Sequence, residues 1–105
     1  MNKELLKGTT EVMILKMLEN EPMYGYGMIK NFEIRSKGTF KFKEGTLYPL
    51  LHALEKKKYI ESFWDAPDGR RRKYYRITQN GLKELQAKKT EWQLFSETLN
   101  SLLEF

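Results

Sequence analysis

A tight turn between two aromatic and β-branched runs constrains the fold of this chain more than any other feature of its sequence. The runs are residues 59–65 and 71–77, and residues 66–69 between them read Ala-Pro-Asp-Gly. Pro, Asp and Gly are typical of tight turns, and runs rich in Tyr, Phe, Trp and Ile are typical of strands. The pattern therefore predicts a β-hairpin whose tip and second arm carry the basic run Arg70-Arg71-Arg72-Lys73.

Helical patterns precede this hairpin. A first helix around residues 12–18 is apolar on most of its circumference, with Leu5 and Leu6 a turn or two earlier. A helix of this kind is buried on more than one side, so we expect a surface besides its own domain to cover it. Glu21-Pro22 ends this helix, and apolar spacing predicts a second helix over residues 24–36.

A third helix is predicted over residues 44–57 because its leucines repeat with helical spacing. The apolar stripe consists of Leu47, Leu50, Leu51 and Leu54. The opposite side of this helix carries Gly45, Pro49, His52 and Lys56, flanked by Thr46 and Tyr48. The polar side is therefore free to face solvent or a ligand.

A last helix is predicted from Thr78, a favourable N-cap residue, to residue 105. Its length of about 27 residues corresponds to a rod of roughly 40 Å. From Trp92 onward its apolar residues form a heptad-like seam. The stripe as a whole consists of Leu82, Leu85, Trp92, Phe95, Leu99 and Leu102. We expect a second copy of the chain to cover this seam.

The positive charge of the chain is concentrated in its middle. Residues 37–76 hold eleven Lys or Arg and five Asp or Glu, whereas the remainder holds eight basic and nine acidic residues. The net charge of +5 thus arises entirely from the segment that includes the third helix and the hairpin. A localised basic segment favours a polyanionic partner, most simply nucleic acid.

Several classes of function are disfavoured by what the sequence lacks. There is no cysteine and only one histidine, His52, so we expect no metal site and no cofactor. We find no nucleophile–base pair and no phosphate-binding Gly loop, so we do not expect an enzyme. No apolar run approaches the ~20 residues of a membrane span, so we expect a soluble cytoplasmic protein with no membrane partner.

The predicted fold is mainly α with a β-hairpin, in the order α-α-α-β-β-α, which is the order of a winged helix-turn-helix. In that fold the third helix enters the major groove and the hairpin, or wing, reaches the DNA backbone or minor groove. The aromatic residues beside the basic run leave open an alternative, the stacking of single-stranded nucleic acid.

The chain also resembles the PadR-like transcriptional regulators. The resemblance rests on EPMYGY at 21–26, GTLYPLL at 45–51, RRKYYRIT at 71–78 and Gly81. The single short C-terminal helix is similar to that of the smaller subgroup. The resemblance implies a DNA-binding protein, mostly repressor-like, with a winged helix-turn-helix domain over 1–77. It also implies a dimer formed by the last helix, 78–105, together with the first.

Candidate residues follow from these arguments. The residues expected to contact a pseudo-palindromic duplex are Lys43, Thr46, Tyr48, His52, Lys56, Arg70, Arg71, Arg72 and Lys73. The residues expected at the homodimer interface are Val12, Leu85, Trp92, Phe95, Leu99 and Leu102. Small members of the family resemble multidrug sensors, so Trp92, Phe95 and Met13 are candidates for binding a small aromatic effector that releases the repressor. The alternative function is a winged-helix dimer that binds a protein or a ligand without specific DNA readout.

Overall fold

The computed structural model describes residues 9–104, and within them four helices enclose one side of a small antiparallel sheet. In chain order the elements are α1 (Thr10–Leu18), β1 (Met23–Tyr24), α2 (Gly25–Arg35), α3 (Glu44–Lys56), β2 (Ile60–Asp65), β3 (Arg72–Ile77) and α4 (Gln79–Leu103). The predicted mainly-α fold with a β-hairpin is confirmed. The predicted contribution of Leu5 and Leu6 to the first helix lies outside the described residues.

The core forms where α1, α2 and α3 pack against one face of the sheet. Its fully or nearly fully buried side chains include Ile14, Leu15, Leu18, Met28, Phe32, Leu47, Leu51, Leu54, Ile60 and Tyr75. The leucine stripe of α3 thus faces inward, with Leu50 packed at the edge of the core. Because this face is anchored, the opposite side of α3 is fixed toward the surface.

The sheet contains a short strand that the sequence analysis did not predict. β1 pairs antiparallel with β3, and the strand order is β1-β3-β2. Its two residues, Met23 and Tyr24, lie opposite Tyr75 and Tyr74. This pairing ties the start of α2 to the arm of the hairpin, so the wing and the helices form one unit.

Close packing also joins α2 to α3. A side chain on Gly25 would place its Cβ 2.5 Å from the hydroxyl oxygen of Tyr48, which is nearer than atoms approach without a shift. The absence of a side chain at Gly25 therefore allows Tyr48 to lie across the first turn of α2.

Thr78 caps α4 as predicted, since its hydroxyl accepts a hydrogen bond from the Gly81 amide at 3.1 Å. The first turns of α4 pack on the core, where Leu85 is fully buried. From Thr90 to Glu104 all side chains except that of Ser96 are exposed, so this half of the helix extends beyond the domain. Among residues 9–104, no helix is both long and apolar enough to cross a bilayer.

Candidate nucleic-acid interface

The outward face of α3 presents polar side chains that form no salt bridge with another described residue. Four of the predicted DNA contacts, Lys43, Thr46, His52 and Lys56, are exposed. None of the three basic or titratable side chains among them forms a salt bridge with a described residue. Their hydrogen-bonding and charged groups are therefore available to a partner.

In contrast, the neighbouring Lys57 forms a salt bridge within the chain. Lys57 lies at the C-terminal end of α3 and its ammonium group is 3.0 Å from a carboxylate oxygen of Glu11 in α1. This contact raises the pKa of Lys57 and joins two helices of the same chain. Lys57 thus has a structural role, in agreement with its omission from the predicted DNA contacts.

The tip of the hairpin is exposed and basic. Gly69 adopts a positive φ of 84°, a conformation that a residue with a side chain rarely takes, and it turns the chain back toward β3. Arg70 and Arg71, which follow it, are exposed and form no salt bridge with any described residue. The Arg71 guanidinium lies 4.8 Å from the ring centroid of Trp64, an arrangement that orients the cation without neutralising it.

Arg72 has a different environment, although it belongs to the same basic run. Its guanidinium donates hydrogen bonds of 2.8 Å to both carboxylate oxygens of Asp68 and lies 4.6 Å from the ring centroid of Tyr24. The side chain is only 20% exposed. Hydrogen bonds from Arg72 and from the Arg70 amide lower the pKa of Asp68 below its usual range. Arg72 therefore joins the wing tip to β1, and its charge is already partly balanced.

Lys73 is half-buried and its ammonium nitrogen lies 5.7 Å from the ring centroid of Tyr75. Strand alternation places Arg72 and Lys73 on opposite faces of the hairpin, and Arg71, which precedes β3, lies over Trp64, the residue paired with Lys73. The four basic residues are therefore not equivalent: Arg70 and Arg71 are the most accessible, and Arg72 is the most constrained.

A groove of about 470 Å³ separates the wing from the helices. It is lined by Tyr24, Gly25, Tyr26, Tyr48, Trp64 and the basic run 70–73. The pKa of Tyr48 is raised, mainly by burial and to a smaller extent by the nearby Glu44 carboxylate. Its phenol therefore remains protonated and can donate a hydrogen bond. The groove brings α3, the start of α2 and the wing together on one side of the molecule.

The sequence analysis did not assign Tyr24, Tyr26 and Trp64 to this surface. Tyr26 and Trp64 are exposed, and the Lys30 ammonium lies 5.4 Å from the ring centroid of Tyr26. The signal that could have identified Tyr24 and Tyr26 is their position at the first turn of α2. In a helix-turn-helix protein this helix crosses the DNA backbone.

The proposed effector residues are not brought into one cavity within a single chain. Met13 lines a cleft of about 440 Å³ between α1, α2 and α4, but Trp92 and Phe95 do not line it. Trp92 and Phe95 instead contact each other edge to face, with ring centroids 5.5 Å apart, on the exposed half of α4. An effector site that includes all three residues would thus require a second chain.

The predicted dimer interface needs one correction. Leu85 is fully buried in the core of its own chain, so it is not accessible to a partner. Val12 is half-buried, and the remaining predicted residues are exposed: Trp92, Phe95, Leu99 and Leu102. Leu85 is therefore removed from the predicted interface, and the exposed apolar residues of the stripe are those from Trp92 onward.

No group of three or more potential metal ligands occurs among residues 9–104. The arrangement is chemically that of a binding surface, with cations, hydroxyl groups and aromatic rings facing one side.

Comparisons with known proteins agree with this architecture. Residues 14–87 match the transcriptional regulator PadR-like family. A PadR-like transcriptional regulator from Bacillus cereus is 36% identical and superposes with a TM-score of 0.88, covering 98% of this chain and 99% of that one. A transcriptional regulator from Clostridium thermocellum is 35% identical with a TM-score of 0.86, covering 94% of this chain and 97% of that one.

A curated relative, an uncharacterized protein from Lysinibacillus sphaericus, is 34% identical over 102 residues. The alignment covers 96% of this chain and 94% of the relative. The similarity therefore extends over the helices, the wing and α4 together.

Proposed function

The chain belongs to the PadR-like family of transcriptional regulators, and on this premise we propose that it is a cytoplasmic, homodimeric repressor that binds a pseudo-palindromic DNA duplex. The outward face of α3 reads base edges in the major groove, and the wing tip contacts the backbone or the minor groove. The observation that supports this proposal best is the groove that joins Tyr48 of α3 to Arg70 and Arg71 of the wing.

Each element of the interface has a distinct role in this proposal. Thr46 and His52 carry hydrogen-bonding groups that can read base edges, whereas Lys43 and Lys56 are suited to phosphates at either end of α3. Arg70 and Arg71 supply accessible charge, which increases affinity for any duplex. Arg72 holds the wing tip against Tyr24, and so it positions Arg70 and Arg71.

The homodimer is supported by two complementary surfaces of the chain. The exposed half of α4 carries the apolar seam that begins at Trp92, and its charged residues are all acidic: Glu91, Glu97 and Glu104. The cleft between α1, α2 and α4 has an apolar floor and basic residues at its rim, namely Lys16, Arg35 and Lys89, of which Lys16 and Lys89 pair with Glu19 at 2.6 and 3.5 Å. A second copy would cover both surfaces and place two α3 helices about one helical turn of DNA apart.

Release by a small aromatic ligand would act through this dimer. Two copies of Trp92 on facing helices would flank a gap in which a planar apolar molecule can stack. A ligand that prefers one of two dimer arrangements by ~1–3 kcal/mol would change DNA affinity about 5- to 150-fold.

The effector proposal is tested by fluorescence. Planar cationic dyes and aromatic carboxylic acids are titrated into a Trp64→Phe variant, in which Trp92 is the remaining tryptophan. We expect saturable quenching together with loss of DNA binding in the Trp64→Phe variant, and DNA binding that no longer responds to the ligand in Trp92→Ala. If no compound gives saturable quenching, Trp92 only packs the dimer.

The DNA-binding proposal is tested by selecting a duplex from a random-sequence library with the wild-type protein. Affinity is then measured for the selected duplex and for a shuffled duplex over a range of salt concentrations. We expect the selected duplex to bind on the order of 10³-fold more tightly or better. Equal affinity for both duplexes would favour the alternative function, a dimer that recognises a protein or a ligand.

A matched pair of variants tests the role of the wing. Arg71→Ala should lower the slope of log affinity against log salt by about one, because one phosphate contact is lost. Arg76→Ala removes the same charge from the same arm of the hairpin, but Arg76 lies within β3 and pairs with Glu61 at 2.8 Å. The slope of log affinity against log salt for Arg76→Ala should therefore equal that of the wild type. Equal slopes for all three proteins would place the wing away from DNA.

A further inference from the structure

Gly45 lies on the first turn of α3, and packing among residues 9–104 does not require its lack of a side chain. It is exposed, and a Cβ built on it would meet no atom of the described residues within 4 Å beyond its own helix backbone and chain neighbours. Its φ does not lie in the positive range that only glycine readily adopts. Neither space nor backbone conformation therefore requires glycine at this position.

At other glycines of the chain, packing or backbone conformation requires glycine. A Cβ on Gly25 would collide with the Tyr48 side chain, and a Cβ on Gly81 would collide with the backbone carbonyl of Tyr59. Gly38 and Gly69 adopt positive φ values of 81° and 84°. Gly45 shares none of these properties, although glycine in a helix is unfavourable relative to alanine.

The position of Gly45 places it at the centre of the outward face of α3. Pro49 is one turn later and His52 two turns later, so both lie on nearly the same side of the helix, and both are exposed. Because Gly45 has no side chain and the Pro49 ring is compact, this part of the helix surface protrudes little from the backbone. The exposed side chains of Lys43 and Thr46 flank this surface.

We propose that Gly45 is the point of closest approach between the α3 backbone and DNA, and that a side chain there would hold the helix out of the major groove. A helix approaches base edges most closely where it lacks a Cβ, because the methyl group would occupy the space of a base or a sugar. Glycine at 45 is then a requirement of the complex rather than of the free protein. This inference depends on the proposed DNA-binding function and specifies how α3 is seated.

The test is a comparison of Gly45→Ala with the wild type on the duplex that the wild type selects. We expect Gly45→Ala to raise the thermal midpoint, because alanine favours the helix, and yet to weaken binding at least about tenfold, the order of one poorly accommodated contact. Because the loss is steric, the salt slope should not change. Gly45→Leu should weaken binding further, in proportion to the larger side chain.

The matched control is Ala87→Gly on the exposed side of α4, which makes the reverse exchange away from α3. It should lower the thermal midpoint and leave DNA affinity unchanged. If Gly45→Ala binds the selected duplex as tightly as the wild type, the inference about Gly45 is wrong while the DNA-binding function stands. If the wild type selects no duplex, the proposed function itself fails and the inference fails with it.

Discussion

Leu99 provides the sharpest test of the proposed dimer. It lies in the middle of the seam on α4 and is 40% exposed in the single chain. Complete burial of a Leu side chain stabilises by about 1.5–3 kcal/mol, so covering the exposed part of Leu99 contributes about 1 kcal/mol per chain. A symmetric dimer contains this contact twice, which gives about 2 kcal/mol.

Two substitutions separate the loss of apolar contact from the cost of a buried charge. Leu99→Ala removes most of that ~2 kcal/mol and should raise the dimer dissociation constant about 30-fold. Leu99→Asp also places an unpaired carboxylate in each half of the seam, at a cost of several kcal/mol per charge. The sum of at least about 5 kcal/mol corresponds to a weakening on the order of 10³-fold or more.

The measurement is sedimentation equilibrium over a range of protein concentrations, with circular dichroism to follow helix content. Leu94 offers a matched control, because it is 66% exposed but lies about 140° around the helix from Leu99. Leu94→Asp should dimerise as the wild type does. If Leu99→Asp remains dimeric at the same concentrations as Leu94→Asp, the seam is not the dimer interface.

Two further predictions concern contacts within the chain. Gly25→Ala should lower the free energy of unfolding by about 1–3 kcal/mol, because its Cβ would overlap the Tyr48 phenol. Tyr48→Ala should relieve this overlap, so the double variant should lose less stability than the sum of the two single variants. Chemical denaturation of the three variants measures these losses, and an additive loss would contradict the contact. The lowered pKa of Asp68 should rise toward its usual range in Arg72→Ala, because the largest of its causes is removed while the hydrogen bond from the Arg70 amide remains, as followed by NMR titration of the carboxyl carbon. A depressed carboxyl pKa contributes stability that is fully present above the pKa of the unfolded chain, about 3.9, and is lost as the pH falls through the lower pKa of the folded protein, so the wing contact should weaken over that range. A titration curve unchanged by Arg72→Ala would show that the ion pair does not form in solution.

The sequence predicted the larger elements because their signals are local and repeated. The leucine stripe of α3 recurs with helical spacing, and the turn residues 66–69 separate two strands of similar length, so the order of helices and hairpin could be derived from the pattern. Thr78 was predicted as a cap because its hydroxyl needs only a nearby backbone amide, here that of Gly81.

Features that depend on contacts distant in sequence could not be predicted in the same way. The strand β1 has two residues, too few for any periodicity, and it exists because Met23 and Tyr24 pair with β3. Leu85 continues the spacing of the seam, and only the folded chain shows that α4 leaves the core after it. Similarly, the run 70–73 is uniform in charge, but the turn brings Asp68 back to Arg72 and so distinguishes that residue from its neighbours.

The central claim is that two copies of α3 and the wing bind one duplex, and hydroxyl-radical footprinting of the selected duplex tests it most directly. The stoichiometry of the complex is determined on the same sample. The account predicts two chains per duplex and two protected regions whose centres lie about one helical turn, roughly 10 base pairs, apart. A single protected region with one bound chain, or no protection at concentrations where the protein is dimeric, would contradict it.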